Sequence, residues 1–447
     1  MSRHHHEGVD TVTTRILRKT AAGLAATAAG ALVLAGCSAS EGGAAEADPN
    51  EDITLTITTF GTFGYEDLYA EYEDAHPNVT IEATNIDTGG NARTDLFTKL
   101  AAGSGASDIV AVEEGWIGAV MEVSDQFVDL RDHGIEDRKD DWVPWKYDGA
   151  TDPDGRVIGY GTDIGPTGIC YNKPAFEAAG LPTERDEVAT LLEGDWEHYF
   201  DVGQEYSDDT GKAWFDQSGF VWNSMVNQLA EGYYTSDGAL NVEGNDELRE
   251  RFDLLAEAVA GGQSAAQAEW DWNGGKSFVD GTFATYVCPG WMLGVVQGQV
   301  EAGGGDADTG WDFADVFPGG AGNWGGAWLS IPASSEQQAA AAELADWLTQ
   351  PEQQVKQAAA AGNFPSTVEA QETLAADATP NEFFGGAPTG AILAERAKGV
   401  QAQFKGPDDS VIQENVFGPS LDKLDRGEAD ADEAWDEAIQ LLGDLVE

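Results

Sequence analysis

Between Ile53 and Val112 the chain switches back and forth between two periodicities, and this restricts its fold more than any other feature. Ile53-Thr54-Leu55-Thr56-Ile57 alternates every second residue, as a half-buried strand does. Glu66 to Ala75 then reads as helix, Val79-Thr80-Ile81-Glu82 as strand, Asn91 to Ala102 as helix, and Asp108-Ile109-Val110-Ala111-Val112 as a buried strand. Strand and helix in turn imply an α/β layer with a largely parallel sheet. Further strand signals recur only after long gaps, around Arg156 to Tyr160, at Gly168 to Tyr171, at Thr282 to Val287 and at Ala327 to Ile331. Helices fill the intervals. Leu248, Phe252, Leu255 and Val259 share one face, and Ser334 with Gln337 predicts a capping box for a helix running to Gln350, with Pro351 after it. Gly303-Gly304-Gly305 and Pro318-Gly319-Gly320 mark turns, and no internal repeat is visible. With 42% hydrophobic residues the chain buries a large core, and at 447 residues it is too long for one, so two lobes are expected.

The segment before Ile53 has a different character. Arg15, Arg18 and Lys19 precede an alanine-rich run that ends in Leu34-Ala35-Gly36-Cys37, which resembles a bacterial lipobox. A basic start, an apolar run and a small-residue cleavage site form an export signal that is removed on maturation. Ala21 to Gly36 falls short of the roughly 20 strongly apolar residues that span a bilayer. Residues 1–36 are therefore expected to be a lipoprotein signal peptide, with Cys37 the site of lipid attachment. Residues 37–52, small, polar and acidic, are expected to be a flexible tether, whose random-coil reach is roughly 20 Å. This places the folded body at the extracellular face of the cytoplasmic membrane. His4-His5-His6 lies in the discarded segment and has no part in a metal argument.

Charge excludes one large class of partners. The sequence holds 23 Lys and Arg against 80 Asp and Glu, and no basic run follows Lys19. Nucleic-acid binding needs clustered cations to displace counterions from phosphates, so that class is excluded. Of three cysteines, Cys170 and Cys288 remain once Cys37 is assigned to lipid. In an oxidising exterior they can form a disulfide or stay apart as buried thiols, and the sequence leaves both readings open. No Cys/His spacing suggests a metal or a cofactor. Catalytic motifs are also missing: there is no Gly-x-Ser-x-Gly elbow, phosphate-binding loop or His-Glu-x-x-His. Asp152-Pro153-Asp154-Gly155 resembles part of a calcium loop but lacks its continuation, and reads as a β-turn.

Fourteen tryptophans divide by their neighbours. Trp347 and Trp435 sit on apolar helix faces and are expected in the core. Trp116, Trp270, Trp272, Trp291, Trp324 and Trp328 stand among Gly, Pro, Asn and acidic residues, a setting that holds an indole on a loop with its face uncovered. An indole face suits the C–H face of a pyranose ring, and neighbouring Asp, Glu and Asn suit its hydroxyls. Paired carboxylates such as Glu113-Glu114 also occur in glycosidases, but in so acidic a chain such pairs arise by composition.

Together, these residues resemble the carbohydrate-binding lipoproteins of bacterial ABC importers, the family 1 extracellular solute-binding proteins, and most closely an actinobacterial branch that handles cellobiose and cello-oligosaccharides. The resemblance rests on Lys99-Leu-Ala-Ala-Gly-Ser-Gly105, Asp108 to Trp116, Asp163-Ile-Gly-Pro-Thr-Gly168, Tyr171-Asn-Lys173 and Phe176 to Asp186. It continues through Gly281 to Thr285, Cys288-Pro-Gly-Trp-Met-Leu-Gly294, Pro318-Gly-Gly320, Asn323-Trp-Gly-Gly-Ala-Trp-Leu329 and Gly362-Asn-Phe-Pro-Ser366. It implies a two-lobe, maltose-binding-protein-like fold with several interlobe crossings, near Asp163, Gly326 and Gly362. Lobe 1 would hold residues 53–163 and 327–362, and lobe 2 residues 164–326 and 363–447. A neutral oligosaccharide, β-linked gluco-oligosaccharides such as cellobiose foremost, would lie in the cleft and be delivered unchanged to a membrane permease and its ATPase by a monomer. Xylo-, malto- or chito-oligosaccharides are alternatives, as is a surface-tethered glycoside hydrolase. The first-lobe wall is expected to be Phe60, Phe63, Glu113, Glu114, Trp116 and Asp163. The second is expected to be Trp222, Asn223, Trp272, Trp291, Asn323 and Trp324, with Trp291 and Trp116 stacking and Asp163 and Glu113 meeting hydroxyls.

Overall fold

The alternating strand and helix periodicities between Ile53 and Val112 fold into one layered lobe. The computed structural model describes residues 52–377 and 379–446, so the leader, Cys37 and all of the tether except Asp52 lie outside the described residues. Strand β1 (Ile53–Phe60) buries Leu55 and Ile57 on one face, and α1 (Glu66–Ala75) returns the chain to β2 (Val79–Ile86), which pairs with β1 in parallel. Helix α2 (Gly89–Ala102) is capped by Thr88, whose hydroxyl accepts from the Asn91 N–H, and ends at left-handed Gly103. Buried β3 (Ile109–Glu113) then pairs with the other side of β1, also in parallel.

The remaining strands are β4 (Tyr160–Gly161), β5 (Asp163–Ile164), β6 (Thr167–Asn172), β7 (Thr285–Pro289), β8 (Trp311–Ala314), β9 (Ala327–Ser330) and β10 (Phe364–Pro365). The first sheet has the order β2-β1-β3-β9-β4, and here the expectation of a largely parallel sheet is corrected. β9 runs antiparallel to both β3 and β4. The reason is the route of the chain. β9 enters this lobe from the crossing at Gly326, opposite Glu113 at the end of β3, and must run back through the sheet. The second sheet, β7-β6-β8, is antiparallel throughout. Cys170 and Cys288 are joined in a disulfide that ties β6 to β7 across 118 residues of sequence.

The expected capping box is also corrected. The helix runs Gln338–Leu348 without a side-chain cap. Ser335, one residue after the expected Ser334, accepts from the Gln337 N–H and donates to Asp108, so this turn is fastened to the start of β3 instead. A separate helix, Pro351–Ala361, follows with Pro at its first position. In the helix Asp246–Ala260, Leu248, Phe252 and Leu255 are fully buried. Asp152-Pro153-Asp154-Gly155 forms a turn in which Asp152 accepts from the Asp154 and Arg156 N–H groups.

Two hydrophobic cores result. One gathers residues between Leu55 and Tyr160 with residues between Ala327 and Leu348; the other gathers Ile164 to Trp324 with Phe364 and the chain from Phe383 to Leu442. The second is dominated by aromatic rings, among them Trp196, Trp214, Trp222, Trp272 and Trp311.

Candidate functional site

The chain passes between the two cores along a narrow bundle of backbone. β5 pairs with β10, and the Trp324 N–H donates to the Gly165 carbonyl at 2.8 Å. A Cβ on Gly165 would overlap the Trp324 carbonyl, and Gly326 combines a φ of +100° with a place against the Asp163 carbonyl, so both positions require glycine. Two residues expected to meet a ligand are committed here. The Asn323 side chain accepts from the Gly165 N–H at 2.8 Å and donates to the Gly325 carbonyl at 3.0 Å. This corrects its expected role: both ends of its amide fasten the crossing. Asp163 Oδ1 accepts from the Ala327 N–H at 3.0 Å and from the Thr162 hydroxyl at 2.6 Å, while burial pushes its carboxyl above the usual range against the pull of Lys146.

On the second-lobe side of this bundle stands an aromatic wall. The Trp291 indole N–H donates to the Trp324 carbonyl at 2.8 Å, and the Trp291 ring stacks with Trp270 at 6.2 Å and 29°. Trp324 meets Trp291 edge-on at 5.5 Å, and Phe220 supports both Trp270 and Trp324 from 5.2 Å. Trp270 is 44% exposed, with a φ of +62° in a loop where Trp272 and Asn273 also have positive φ. Sequence reasoning placed Trp270 on a loop but chose its neighbour Trp272 for the wall. The structure reverses the two: Trp272 is buried and its indole N–H donates to Asp216 at 3.0 Å. Trp222 is likewise core, with no exposed surface, enclosed by Phe252 and Phe417 and bonded to the Tyr233 hydroxyl at 2.9 Å. Asn223 beside it is half-buried.

The first lobe contributes a cluster of charge. Glu113 ends β3 and lies against Gly89 at the start of α2; its carboxyl is pushed up to about 7, by burial first and then by Glu114 and Glu414. Glu114 and Trp116 form the short 3₁₀ turn that follows, both buried, so Trp116 offers no free face for stacking, contrary to expectation. Its indole N–H has no hydrogen-bond partner. Phe60 is half-buried and meets Phe63 edge-on at 5.3 Å, whereas Phe63 is buried against Tyr65 and belongs to the core. Lys146, which no sequence signal marked, is fully buried with its ammonium 3.6 Å from the Trp328 ring centre and without a hydrogen-bond partner. Burial pushes it down to about 8, against Asp163, Glu114 and Glu113, which pull it up.

Facing this cluster is the segment from Lys405 to Glu414. It is held to the second lobe by Lys405 Nζ on Asn227 at 2.6 Å and by the Tyr234 hydroxyl on Asp408 at 2.9 Å. It reaches the first lobe through Arg93, which pairs with Glu414 at 3.2 Å and donates to Ser410, and through Gly118, where a Cβ would overlap the Gly406 carbonyl. Asp409 is buried; one of its oxygens accepts from the Gly406 N–H at 2.5 Å and the other has no partner. Burial raises its carboxyl to about 6, with Lys405 and the Gly406 N–H opposing and Glu114 adding. Glu414 acts on both Glu113 and Glu269, which connects the carboxylates to the Trp270 loop. Of the wall, Trp270 is exposed, Trp291 half-buried and Trp324 buried, so one open indole stands on the second lobe while the first contributes buried donors and carboxylates, the two kinds of contact that a ring with an apolar face and a hydroxylated edge requires.

A two-lobe architecture with its functional groups at the crossing defines a class of ligand-capturing folds. Residues 67–383 match the family described as bacterial extracellular solute-binding protein. A crystal structure of an extracellular solute-binding protein of family 1 is 44% identical, with 88% of this chain and 100% of that chain covered and a TM-score of 0.80. The chain belongs to this family, and its fold is the two-lobe, maltose-binding-protein-like one. Among curated relatives, the arabinooligosaccharide-binding protein of Halalkalibacterium halodurans is 24% identical over 52% of this chain and 51% of that protein. The lactose-binding protein of Rhizobium radiobacter is 25% identical over 58% of each. The chain thus spans somewhat over half the length of the curated relatives it matches.

Proposed function

We propose that this protein is the extracellular substrate-binding component of a sugar ABC importer. It captures a neutral oligosaccharide between its lobes and hands it, unchanged, to the membrane permease. The observation that carries this reading is the wall of Trp270, Trp291 and Trp324 at the lobe crossing, to which the first lobe is joined by the Glu114 N–H donating to the Gly326 carbonyl at 2.9 Å. Relatives named for arabinooligosaccharide and lactose binding support the same class of ligand. A ligand that meets both lobes favours their closed arrangement by its greater affinity for it.

The charges disfavour an anion. Arg93 is taken up by Glu414 and Ser410, Lys405 by Asn227 and Gln403, and Lys146 stands among three carboxylates. Within the neutral class, a β-linked gluco-oligosaccharide such as cellobiose is the reading we carry forward from the sequence. Anchoring through lipid on Cys37 would hold the protein, as a monomer, on the outer face of the membrane beside its permease.

The test is calorimetric titration of the chain begun after Cys37 with cellobiose, cellotriose, lactose, arabinobiose, xylobiose, maltose and N,N'-diacetylchitobiose. Saturable binding near micromolar, about −8 kcal/mol, with the sugar recovered intact is the expected result. Sugar cleaved during titration would instead establish a glycoside hydrolase, and no binding across the panel would refute the sugar reading.

A further inference from the structure

Three buried polar atoms in this site have no hydrogen-bond partner, and they differ in kind. Lys146 Nζ and Trp116 Nε1, on the first lobe, are donors; Asp409 Oδ1, on the second, is an acceptor. Glu114 is the link between them. Lys146 and Asp409 both feel its charge, and Trp116 closes the 3₁₀ turn that Glu114 opens, a turn against which the Asp409–Val411 segment packs. The Trp328 ring and three carboxylates offset part of the cost of burying the Lys146 charge, but its N–H donors have no acceptor, and a buried donor left unpaired is costly. Polar groups left open in this way are complementary to something that brings hydrogen bonds with it.

Resting on the reading of this protein as a sugar binder, we propose that Lys146 is a specificity-determining residue of the cleft. Its ammonium and the Trp116 indole N–H donate to one hydroxyl oxygen of the sugar, and Asp409 accepts from the neighbouring hydroxyl. Two donors opposite one acceptor match two adjacent hydroxyls, one accepting and one donating. The sugar unit at this position therefore carries a free vicinal diol. Removing either hydroxyl leaves a buried group of the protein unpaired, which is the strongest basis on which a site can reject a close analogue. The donors belong to the first lobe and the acceptor to the segment held to the second, so one bound ligand would tie the two together. Lys146 is surrounded by Asp163, Glu114 and Glu113, and Asp409 by Lys405, Asp408 and Glu114.

The experiment titrates wild type, Lys146→Met and Trp116→Phe with cellobiose, lactose and arabinobiose and with monodeoxy analogues of whichever sugar wild type binds, and measures unfolding of each unliganded variant. Lys146→Met is expected to weaken binding of the parent sugar by about 10- to 100-fold, the range for a hydrogen bond to a charged group. It should abolish discrimination against one deoxy analogue, an effect on selectivity that a loss of stability alone does not produce. Wild-type affinity should fall between pH 7 and 9 as the ammonium loses its proton, and that limb should vanish in Lys146→Met. Trp116→Phe, which keeps an aromatic ring and removes the N–H, should lose discrimination against the same analogue, and this decides the matter if Lys146→Met does not fold. Unchanged affinity in Lys146→Met, or an equal loss for the parent and every analogue, would overturn the proposal while leaving sugar binding intact. Failure of wild type to bind any sugar of the full panel given above would overturn the sugar-binding reading itself, and this inference with it.

Discussion

Glu113 gives the sharpest test of the electrostatics at the lobe junction. Its carboxyl, ordinarily near 4.5, is pushed up to about 7 by burial and by Glu114 and Glu414, the latter from the opposite lobe. Between those two pH values the native protein binds a proton that the unfolded chain does not, so stability falls as pH rises through this window. Glu113 contributes fully to stability below about pH 4.5, and this contribution is gone above about pH 7, a loss of at most about 3 kcal/mol. Glu113→Gln keeps the shape and the acceptor for the Gly115 N–H but removes the charge. Urea unfolding followed by tryptophan fluorescence, at fixed ionic strength across this range, should give equal stabilities for the two proteins at low pH. At pH 8 the variant should be more stable by up to about 3 kcal/mol. Asp409, Lys146 and Asp216 titrate in both proteins, so the difference between them isolates Glu113 and its coupled neighbours. A difference that does not vary with pH, or a variant that is the less stable at pH 8, would refute the reasoning.

Three other outcomes are expected. Trp270→Ala, removing an exposed ring, should cost less than about 1 kcal/mol of stability yet weaken sugar binding at least about tenfold; titration and unfolding of the same sample check both. Trp222→Ala should lose about 3–5 kcal/mol in denaturant unfolding, as expected for a ring in a packed core, while Trp222→Phe should retain sugar affinity in titration. Replacing Cys170 and Cys288 together by Ala opens a loop of 118 residues, and should lower the unfolding free energy by about 4–5 kcal/mol in the chain-entropy account.

Local periodicity was legible because it is local. The helix read from Glu66 to Ala75 has those bounds in the structure, and the buried face of Leu248, Phe252 and Leu255 is where the spacing puts it. The direction of β9 was not legible, because it depends on the route the chain takes between β4 and β9, information that no short window holds. Tryptophan burial failed for a related reason. Gly and Pro neighbours do mark loops, but in the second lobe the loops fold over an aromatic core, so Trp272 is covered while Trp270, two residues away, is open; the positive φ values at both break any simple alternation. Lys146 carried no signal at all: a single lysine between Trp145 and Tyr147 reads as an ordinary surface residue until the sheet places Trp328 beneath it.

The lobe crossing has a mechanical consequence. Asp163–Ile164 lies between the Phe364–Pro365 strand and the Gly325–Ala327 backbone, with Asn323 and Asp163 as cross-ties and no room for side chains at Gly165 or Gly326. Three segments tied side by side resist shear and twist far better than they resist folding about their common line. Such a tie favours one motion of the lobes, folding about that line, which changes the distance between their far edges. On the function proposed above, a membrane partner that touches both lobes would tell an occupied protein from an empty one by that distance, without contacting the ligand.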